Sequence, residues 1–340
     1  METQNNQEPL LQVKSLGLRF KSDFGVKETL NDVSFDVYPG EILGIVGESG
    51  SGKSITSLAI MRLLAKNAEI SSGDILFRGN SCLKMSEKAF DKIRGKDMAM
   101  IFQDALTSLN PVFTIGNQVR EAIRSHHKMS REAADQEAIH LLTRVGLPNP
   151  QKVMRQYPHT LSGGMRQRVM IAMAIAGKPS LMIADEPTTA LDVTVQAQIM
   201  ALLKELAKEE NCAVILITHD IGLLAQMADR ILVMYAGQIV EESSLRQLFE
   251  DPGHPYTMSL LRSVPSITDS ADRKLRSIPG MVPADYGELK GCRFVDRCEF
   301  ARPFCSANRQ IMTEIKPGQF VRCERAARGE FLKEVQDVNA

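Results

Sequence analysis

The sequence predicts an α/β fold built around parallel strands, and three features of the chain indicate it. A buried strand runs directly into the glycine-rich stretch GESGSGKS (47–54), and an apolar-periodic stretch typical of a helix follows it. Two further apolar runs, at 181–185 and 213–218, are typical of central parallel strands that are covered on both faces. The residues between these two runs have the apolar period of a helix.

The flanking segments have different patterns. Residues 10–46 alternate apolar and polar positions and predict several short strands. The middle of the chain is mostly helical, because apolar residues within 134–148 recur at i, i+3, i+4 and i+7. Residues 230–242 predict two strands joined at Ala236 and Gly237. Beyond about residue 250 prolines recur and the periodicity weakens, which places a domain boundary there.

We therefore expect a first domain at 1–250, with a helical part at about 104–165, and a smaller C-terminal domain at 251–340. Length and composition agree, since 340 residues with 44% hydrophobic content can bury a core. The start of the chain has no basic and apolar signal, and the longest apolar run is far shorter than a membrane span, so we expect neither export nor a membrane-spanning helix. Lys+Arg and Asp+Glu both number 41, which excludes a strong overall attraction to nucleic acid or anionic lipid.

The stretch at 47–54 matches the phosphate-loop pattern G-x-x-x-x-G-K-[ST], with the strand before it and the helix after it that the pattern requires. Its glycines let the backbone approach phosphates closely, and the N-terminus of the helix favours negative charge. Lys53 is expected to reach the β- and γ-phosphates and the Ser54 hydroxyl to bind Mg²⁺. The alternative is a glycine-rich turn that binds nothing. The predicted ATP contacts are Gly47, Ser49, Gly50, Ser51, Gly52, Lys53, Ser54 and Ile55.

Two carboxylates follow the apolar strand at 181–185. Asp185, at its end, is placed to hold Mg²⁺ through water, and Glu186 is placed to accept a proton from an attacking water. Taken alone, such a pair is more often a helix cap or a solvated turn, and the phosphate loop upstream favours the functional reading. His219 follows the strand at 213–218, so we expect it at the same edge of the sheet as Asp185.

Together with the phosphate loop, the Gln of MIFQD, LSGGMRQR (161–168), TALD and THD, the chain resembles the nucleotide-binding subunits of ABC transporters over roughly residues 10–250. The resemblance implies a phosphate-loop NTPase with a RecA-like core, an antiparallel β subdomain and a helical subdomain. It also implies that two such domains pair head to tail, with each ATP between the phosphate loop of one and the LSGG of the other.

The resemblance assigns roles residue by residue. Ser162, Gly163 and Gly164 would contact the ATP of the partner subunit, and Asp192 would bridge the two sites. Gln103 would contact Mg²⁺ and the attacking water, and His219 would hold the γ-phosphate.

In this family the adenine stacks on an aromatic residue near the N-terminus, and Phe24 is the first candidate, with Phe20 second. Met165 departs from the family's usual Gln, which removes a possible polar contact to the ribose and leaves the LSGG backbone donors.

A narrower resemblance is to the ATPase subunits of dipeptide and oligopeptide importers. It rests on MIFQDALTSLNP, YPHTLSGGM, IADEPTTALDVTVQAQI, HPYTMSLL, SIPGMVP and the cysteines after them. Ala105 stands where this group commonly has Pro, a loop change expected to be mild. The resemblance implies a second, paralogous ATPase subunit, two membrane permease subunits and an extracytoplasmic solute-binding protein. It also implies a peripheral location on the cytoplasmic face of the membrane.

Four cysteines lie in the C-terminal segment, with five, six and seventeen residues between them: Cys292, Cys298, Cys305 and Cys323. This spacing matches neither paired zinc-ribbon cysteines nor plain ferredoxin motifs. Without an export signal disulfides are not expected. Four thiolates with no His nearby suit a tetrahedral sulfur site, for an iron–sulfur cluster or for zinc. Resemblance to the peptide-importer group implies a [4Fe–4S] cluster, and a structural metal would stabilise a segment with too few apolar residues for its own core.

Several alternatives stay open at this stage. The four thiols could be unligated, or the interleaved Arg and Phe around them could form a small nucleic-acid module. The cluster could also be a redox sensor that regulates transport. The transported solute could be nickel or another small molecule instead of a peptide. A soluble ABC ATPase that acts on nucleic acid is a further class, but only 58 residues separate Gln103 from Ser162, too few for the long coiled coil of the DNA-repair type. We therefore expect no nucleic-acid partner.

Overall fold

A computed structural model describes residues 7–23, 25–263, 278–283 and 285–330. Within them the chain forms twelve strands and thirteen α-helices, several of the helices a single turn. The strands are β1 Leu11–Ser22, β2 Gly25–Val37, β3 Ile42–Val46, β4 Ala68–Phe77, β5 Asn80–Ser81, β6 Met98–Ile101, β7 Leu181–Asp185, β8 Ala213–Thr218, β9 Arg230–Tyr235, β10 Gln238–Ser244, β11 Thr313–Lys316 and β12 Gln319–Val321.

The helices divide into a group before β7 and a group after it. The first group is α1 Lys53–Ile60, α2 Glu87–Phe90, α3 Ala105–Ser108, α4 Ile115–His126, α5 Arg131–Arg144, α6 Pro150–Val153 and α7 Gly163–Ile175. The second is α8 Val193–Glu209, α9 Ile221–Leu224, α10 Leu245–Glu250, α11 Pro255–Arg262, α12 Pro303–Ala307 and α13 Glu324–Ala327. None of these helices in the described part of the chain is both long and apolar enough to cross a membrane.

The strands form two sheets. A four-stranded sheet has the order β2-β1-β4-β5 and is antiparallel, and its β1 shows register shifts against both neighbours. An eight-stranded sheet has the order β11-β12-β10-β9-β3-β8-β7-β6. In it, β6, β7, β8, β3 and β9 are parallel, whereas β10, β12 and β11 continue the sheet in antiparallel pairs. The predicted α/β class is confirmed.

The eight-stranded sheet separates two apolar clusters because successive side chains of a strand point to opposite faces. In β8, Val214 and Leu216 pack with the helices of the middle of the chain, while Ile215 and Ile217 pack with β1, β2 and β4. The second face therefore lies under the antiparallel sheet. This burial on both faces explains why β3, β7 and β8 read as continuous apolar runs.

The C-terminal part of the chain packs onto this sheet. Strands β11 and β12 extend it beyond β10, and Phe294 and Tyr286 are buried in the larger apolar cluster. We call residues 285–330 the cysteine segment. A small cluster around Phe300, Val321 and Cys323 adds to its packing. The segment therefore buries part of its apolar surface, at Tyr286 and Phe294, in the cluster built by the first 250 residues. The proposed boundary at 250 stays a prediction.

Candidate active site

The phosphate loop, residues 47–54, joins the carboxyl end of β3 to the start of α1. Its glycines are required by close packing. A Cβ on Gly47 would stand 2.1 Å from the carbonyl oxygen of Met234, and Gly52, at φ 104°, precedes the helix in the left-handed region. The loop is also bonded to the β9–β10 turn, because Gly237 N–H donates to the Ser51 carbonyl at 2.9 Å. The loop is therefore a fixed backbone cradle at the carboxyl edge of the parallel strands.

Lys53 is buried inside this loop. Its Nζ donates to the carbonyl oxygens of Gly47 at 2.7 Å and Glu48 at 2.9 Å. Burial lowers the pKa of Lys53, although the nearby carboxylates of Glu186 and Asp185 oppose the shift. A buried ammonium with a lowered pKa is a group that an incoming anion stabilises.

Ser54 and Asp185 meet close to Lys53. The Ser54 hydroxyl donates to Oδ1 of Asp185 at 3.0 Å, so the two predicted Mg²⁺ ligands, from α1 and β7, are adjacent. Burial raises the pKa of Asp185, while the hydrogen bond from Ser54 opposes it. A hydroxyl and a buried carboxylate, both oxygen donors, fit a hard cation such as Mg²⁺. The pair fits Mg²⁺ because a cation there would stabilise the carboxylate that burial disfavours.

Glu186 follows β7 with φ 46°, a left-handed conformation that is uncommon for a residue other than glycine. Three side chains surround its carboxylate. Gln103 Nε2 donates to Oε2 at 3.0 Å, Thr189 Oγ1 donates to the same oxygen at 2.8 Å, and His219 Nδ1 lies 3.3 Å from Oε1. The structure therefore brings together Gln103, Glu186 and His219, as the sequence predicts, and adds Thr189.

The charge state of Glu186 suits a proton acceptor. Burial opposes ionisation of this carboxyl, but the hydrogen bonds from Thr189 and His219 and the charge of Lys53 outweigh it and lower its pKa. The carboxylate therefore stays ionised at neutral pH. It is held beside the Lys53 and Asp185 site on the edge formed by the parallel strands β7 and β8, where a water can be positioned between Glu186 and a bound phosphate.

Ser162 and Asp192 lie at helix N-termini. Ser162 caps α7, with its Oγ accepting from Met165 N–H at 3.3 Å, and Asp192 caps α8 by accepting from Val195 N–H at 3.0 Å. These hydrogen bonds stay within each residue's own helix. Gly163 begins α7, and a Cβ on Gly164 would lie 2.7 Å from Val195, so small residues let the two helix starts approach. The Ser162 hydroxyl, used here as an acceptor, keeps its proton to donate.

Two aromatic residues, Phe24 and Phe20, are the predicted candidates for stacking on adenine. Phe24 lies outside the described residues. Phe20, on β1, is partly buried and packs against the smaller of the two large apolar clusters. Ile55, in the first turn of α1, also packs against that cluster, while Ser49 and Gly50 lie at the exposed tip of the phosphate loop.

Sequence reasoning missed two residues that touch this site. Thr189 is one, and its position three residues after Glu186 was the available signal. Tyr256 is the other: its hydroxyl accepts from Glu48 N–H at 2.9 Å although 208 residues separate the two. Tyr256 belongs to the HPYT motif, which the sequence placed outside the ATPase core. No local spacing connects that motif to the phosphate loop.

The structure brings the four C-terminal cysteines to one partly enclosed cavity, which all four line together with His254 and Phe294. None is in a disulfide. The expectation of no nearby His is therefore wrong, because folding returns His254 to the cysteines from α11. The Nδ1 of His254 already accepts from Tyr256 N–H at 3.0 Å, and its ring also hydrogen-bonds to the backbone of Arg322. The imidazole is therefore already engaged in two hydrogen bonds within the protein.

Burial disfavours the thiolate form at three of the four cavity cysteines. Burial raises the pKa of Cys292 to about 12 and of Cys298 to about 11, and the neighbouring cysteines add to both shifts. Burial also raises the pKa of Cys323. Within the described ranges no group of three or more His, Cys, Asp or Glu side chains has the geometry of a formed metal site. The four sulfurs fit a sulfur-ligated metal by residue type and by sharing a cavity, and binding would require them to lose protons and draw together.

Comparison with known proteins defines the class. Residues 30–189 match the family described as "ABC transporter", and residues 240–305 match "Oligopeptide/dipeptide transporter, C-terminal region". Among solved structures, a dimeric post-hydrolysis state of the ATP-binding cassette MJ0796 bound to ADP and Pi is similar at 29% identity and TM-score 0.63, covering 69% of this chain and 99% of that one. CbiO1 from Clostridium perfringens, part of the ABC transporter complex cbiONQ, is similar at 26% identity and TM-score 0.62, covering 72% and 92%.

Whole-chain relatives narrow the class. Dipeptide transport ATP-binding protein DppD of Haemophilus influenzae is 50% identical over 87% of this chain and 89% of its own length. Oligopeptide transport ATP-binding protein OppD of Bacillus subtilis is 47% identical over 92% and 88%. The probable peptide ABC transporter ATP-binding protein y4tR of Sinorhizobium fredii is 46% identical over 96% and 98%.

This chain belongs to the ABC transporter ATP-binding family, and it is an ATP-hydrolysing subunit. Within that family it belongs to the group that carries the oligopeptide/dipeptide C-terminal region.

Proposed function

We propose that this chain hydrolyses ATP to drive the import of dipeptides or oligopeptides through partner membrane subunits. The observation that carries the peptide assignment is the match of residues 240–305 to the oligopeptide/dipeptide transporter region. It is supported by relatives named as dipeptide and oligopeptide transport ATP-binding proteins, which align over most of both chains. The match includes Tyr256 and the first three cysteines of the cavity, which lie outside the ATPase core.

The phosphate loop binds the triphosphate of ATP in this proposal. Its backbone N–H groups and the N-terminus of α1 face the phosphates, and Lys53 exchanges its bonds to the Gly47 and Glu48 carbonyls for phosphate oxygens. Ser54 and Asp185 would hold Mg²⁺, which would neutralise phosphate charge when bound. The shifted pKa values of Lys53 and Asp185 support this assignment, because an anion and a cation respectively would restore their charged forms.

Glu186 is the general base. Its ionised carboxylate accepts a proton from the water that attacks the γ-phosphate, and the hydrogen bonds from Gln103 and Thr189 fix its orientation. His219, at the end of β8, holds the γ-phosphate. Gln103 lies at the end of β6, close to the exposed Phe102, and so connects the water site to a surface that membrane subunits can contact.

A second ATPase subunit completes the site. Ser162, Gly163 and Gly164 start α7, whose N-terminus favours anions, and the Ser162 hydroxyl has a proton free to donate. In a head-to-tail pair these groups contact the γ-phosphate bound by the partner, and Asp192 lies between the two sites. We propose that the partner is a paralogue. Two permease subunits and an extracytoplasmic solute-binding protein complete the transporter, with this chain peripheral on the cytoplasmic face of the membrane.

Solute-stimulated ATP turnover of the assembled complex tests the proposal. The complex is purified with its partner subunits, and turnover is measured with solute-binding protein that is empty, loaded with dipeptide or oligopeptide, or loaded with nickel. A further sample contains DNA or RNA and no binding protein. Stimulation by a peptide-loaded binding protein is the expected result. If only the nickel-loaded binding protein stimulates turnover, the chain serves a nickel importer instead. Stimulation by DNA or RNA without any binding protein would reject the importer assignment.

We also propose that the cavity of the cysteine segment holds a [4Fe–4S] cluster on Cys292, Cys298, Cys305 and Cys323, with zinc as the competing metal. The support is that four thiols from across the segment line one cavity and that none forms a disulfide. The bound group would supply cross-links between the strands and short helices of the segment, and Arg325, which donates to the Phe300 carbonyl, would help to fix the cavity wall.

Metal analysis of anaerobically purified protein tests this second proposal. About four iron and four sulfide per chain are expected in the wild type and neither in the variant with all four cysteines changed to Ser. The matched control changes Cys82 and Cys212, both buried elsewhere, to Ala and should keep the iron. One zinc per chain would support the competing metal, and no metal in the wild type would reject a ligand at this cavity.

A further inference from the structure

The cysteine segment makes a direct ionic contact with the phosphate loop. Arg297, one residue before Cys298, forms two hydrogen bonds to the carboxylate of Glu48, at 2.8 Å from Nη1 to Oε2 and 3.1 Å from Nη2 to Oε1. The Arg297 side chain is 6% exposed and that of Glu48 26%. The pair is therefore bidentate and largely withdrawn from water, which distinguishes it from the many exposed ion pairs of the surface.

The guanidinium is fixed from every side. Its Nε donates to the Pro279 carbonyl at 2.8 Å, Nη1 also lies 3.3 Å from the Tyr235 hydroxyl, and Nη2 lies 3.3 Å from the Gly280 carbonyl. It stands over the rings of Tyr235 and Phe294. An arginine held this completely sets the position of the carboxylate it binds.

Glu48 is itself committed to the phosphate site through its backbone. Its carbonyl accepts from Lys53 Nζ at 2.9 Å, and its N–H donates to the Tyr256 hydroxyl at 2.9 Å. Moving Glu48 therefore moves an acceptor of the phosphate-binding ammonium. Its carboxylate also adds negative charge close to the position where a triphosphate binds, and this charge repels ATP unless a cation neutralises it.

Packing connects this contact to the cysteine cavity. Phe294 lines the cavity and packs on Tyr235 and Tyr256, with ring centroids 5.1 and 5.4 Å apart, and Cys292 and Cys298 flank it in the chain. A second connection runs through Arg293, which donates to the Ala236 carbonyl at 2.6 Å in the turn that bonds Ser51. The residues between the first two cysteines thus contact the phosphate loop directly through Arg297 and the turn bonded to that loop through Arg293.

We propose that Arg297 is a positioning residue for ATP binding: it neutralises and orients Glu48, so that the ATP affinity of the phosphate loop depends on the folded state of the cysteine segment. The inference rests on the assignment of the phosphate loop as the ATP site. It gives the cysteine cavity a role in the ATPase reaction. Cys298 lines the cavity and is next to Arg297 in the chain, so interactions that hold the cavity wall in place also hold Arg297 against Glu48.

Binding of Mg²⁺-ATP to the purified chain, with thermal stability measured in parallel, tests the inference. Arg297→Gln should raise the Kd for ATP about tenfold, because it leaves the Glu48 carboxylate unpaired. Arg297→Lys keeps the charge and loses the bidentate geometry, so its Kd for ATP should lie between those of the wild type and Arg297→Gln. Glu48→Gln combined with Arg297→Gln should bring the Kd back to within about threefold of the wild type, although its melting temperature stays as low as that of Arg297→Gln.

Two controls separate this mechanism from loss of folding. Arg309→Gln changes an exposed arginine of the same segment and should leave the Kd unchanged. Lys53→Ala should abolish ATP binding whatever Arg297 does. If Arg297→Gln leaves the Kd unchanged, or if Glu48→Gln does not rescue it, the inference is wrong while the ATP site stands. If the wild-type chain does not bind ATP, the proposed function fails first.

The dependence on the cavity has its own test. Changing all four cavity cysteines to Ser should raise the Kd for ATP by the same factor as Arg297→Gln, and combining the two changes should add nothing further. Fully additive effects would show that the cavity and Arg297 act independently and would overturn the coupling.

Discussion

The ATP site and the cysteine cavity are two clusters of reactive side chains in one chain, and they are assembled in different ways. Three functional residues of the ATP site directly follow or begin a regular element: Glu186 follows β7, His219 follows β8, and Lys53 begins α1. The walls of the cavity instead come from the start of α11, from loops and short helices, and from the start of α13. Strand ends place side chains by backbone geometry alone, whereas the cavity depends on tertiary packing and, in our proposal, on a metal.

The largest expected effect concerns the ATP site and tests Glu186 as the general base. Glu186→Gln keeps the hydrogen-bonding shape of the side chain and removes the base, so ATP turnover of the assembled complex should fall by about 10² to 10⁴ while ATP binding remains. Glu209→Gln, on the exposed surface of α8, is the matched control and should turn over normally. Undiminished turnover in Glu186→Gln would remove the general base from the account.

The second expected effect concerns the stability of the two regions. With the four cavity cysteines changed to Ser, amide hydrogen exchange should increase throughout the cysteine segment, because its own apolar cluster is small. Exchange in β3, β7 and β8 should not change, since these strands are buried on both faces by the first 250 residues. If the variant and the wild type show the same exchange in the cysteine segment, the stability of that segment does not depend on a metal.

A smaller effect is expected at Asp185. Burial raises the pKa of this carboxyl, so in the ligand-free protein the folded state holds a proton more tightly than the unfolded state does, and stability declines as pH rises through the unfolded pKa. Asp185→Asn removes the free-energy cost of burying an ionised carboxylate. It should therefore raise the melting temperature of the nucleotide-free chain, on the order of 2 °C at neutral pH. The same variant should lose the extra stabilisation that Mg²⁺ adds to ATP, and a melting temperature below that of the wild type would refute the electrostatic argument.

The smallest effect is expected at Met165, where the family usually has Gln. Met165→Gln should change ATP turnover by less than about twofold, because the Ser162 hydroxyl and the backbone donors at the start of α7 do not depend on that side chain. Turnover of the variant in the assembled complex is the measurement. A change of tenfold or more would show that the contact of this position with the partner's nucleotide matters more than the helix start does.

Much of the fold and of the ATP site follows from the sequence because the signals are local. The apolar runs at 181–185 and 213–218 became neighbouring parallel strands, and the carboxylate and the His after them meet at 3.3 Å. The phosphate loop has the predicted strand before it and helix after it.

What the sequence did not predict depends on contacts between remote parts of the chain. Tyr256 reaches Glu48 across 208 residues, His254 returns to the cysteines, and Arg297 pairs with Glu48 across 249. The extension of the central sheet by β11 and β12 was not expected either. These contacts have no spacing signature, because the position of each partner is set by packing and not by the period of a helix or a strand.

Uptake of a labelled dipeptide into proteoliposomes tests the central claim most directly. The vesicles contain the complete transporter with the solute-binding protein on one side and ATP on the side of this chain. The account predicts that the dipeptide accumulates with the wild-type chain and ATP, and that accumulation is lost with Glu186→Gln although ATP still binds. Equal accumulation with both chains, or accumulation that needs no ATP, would contradict it.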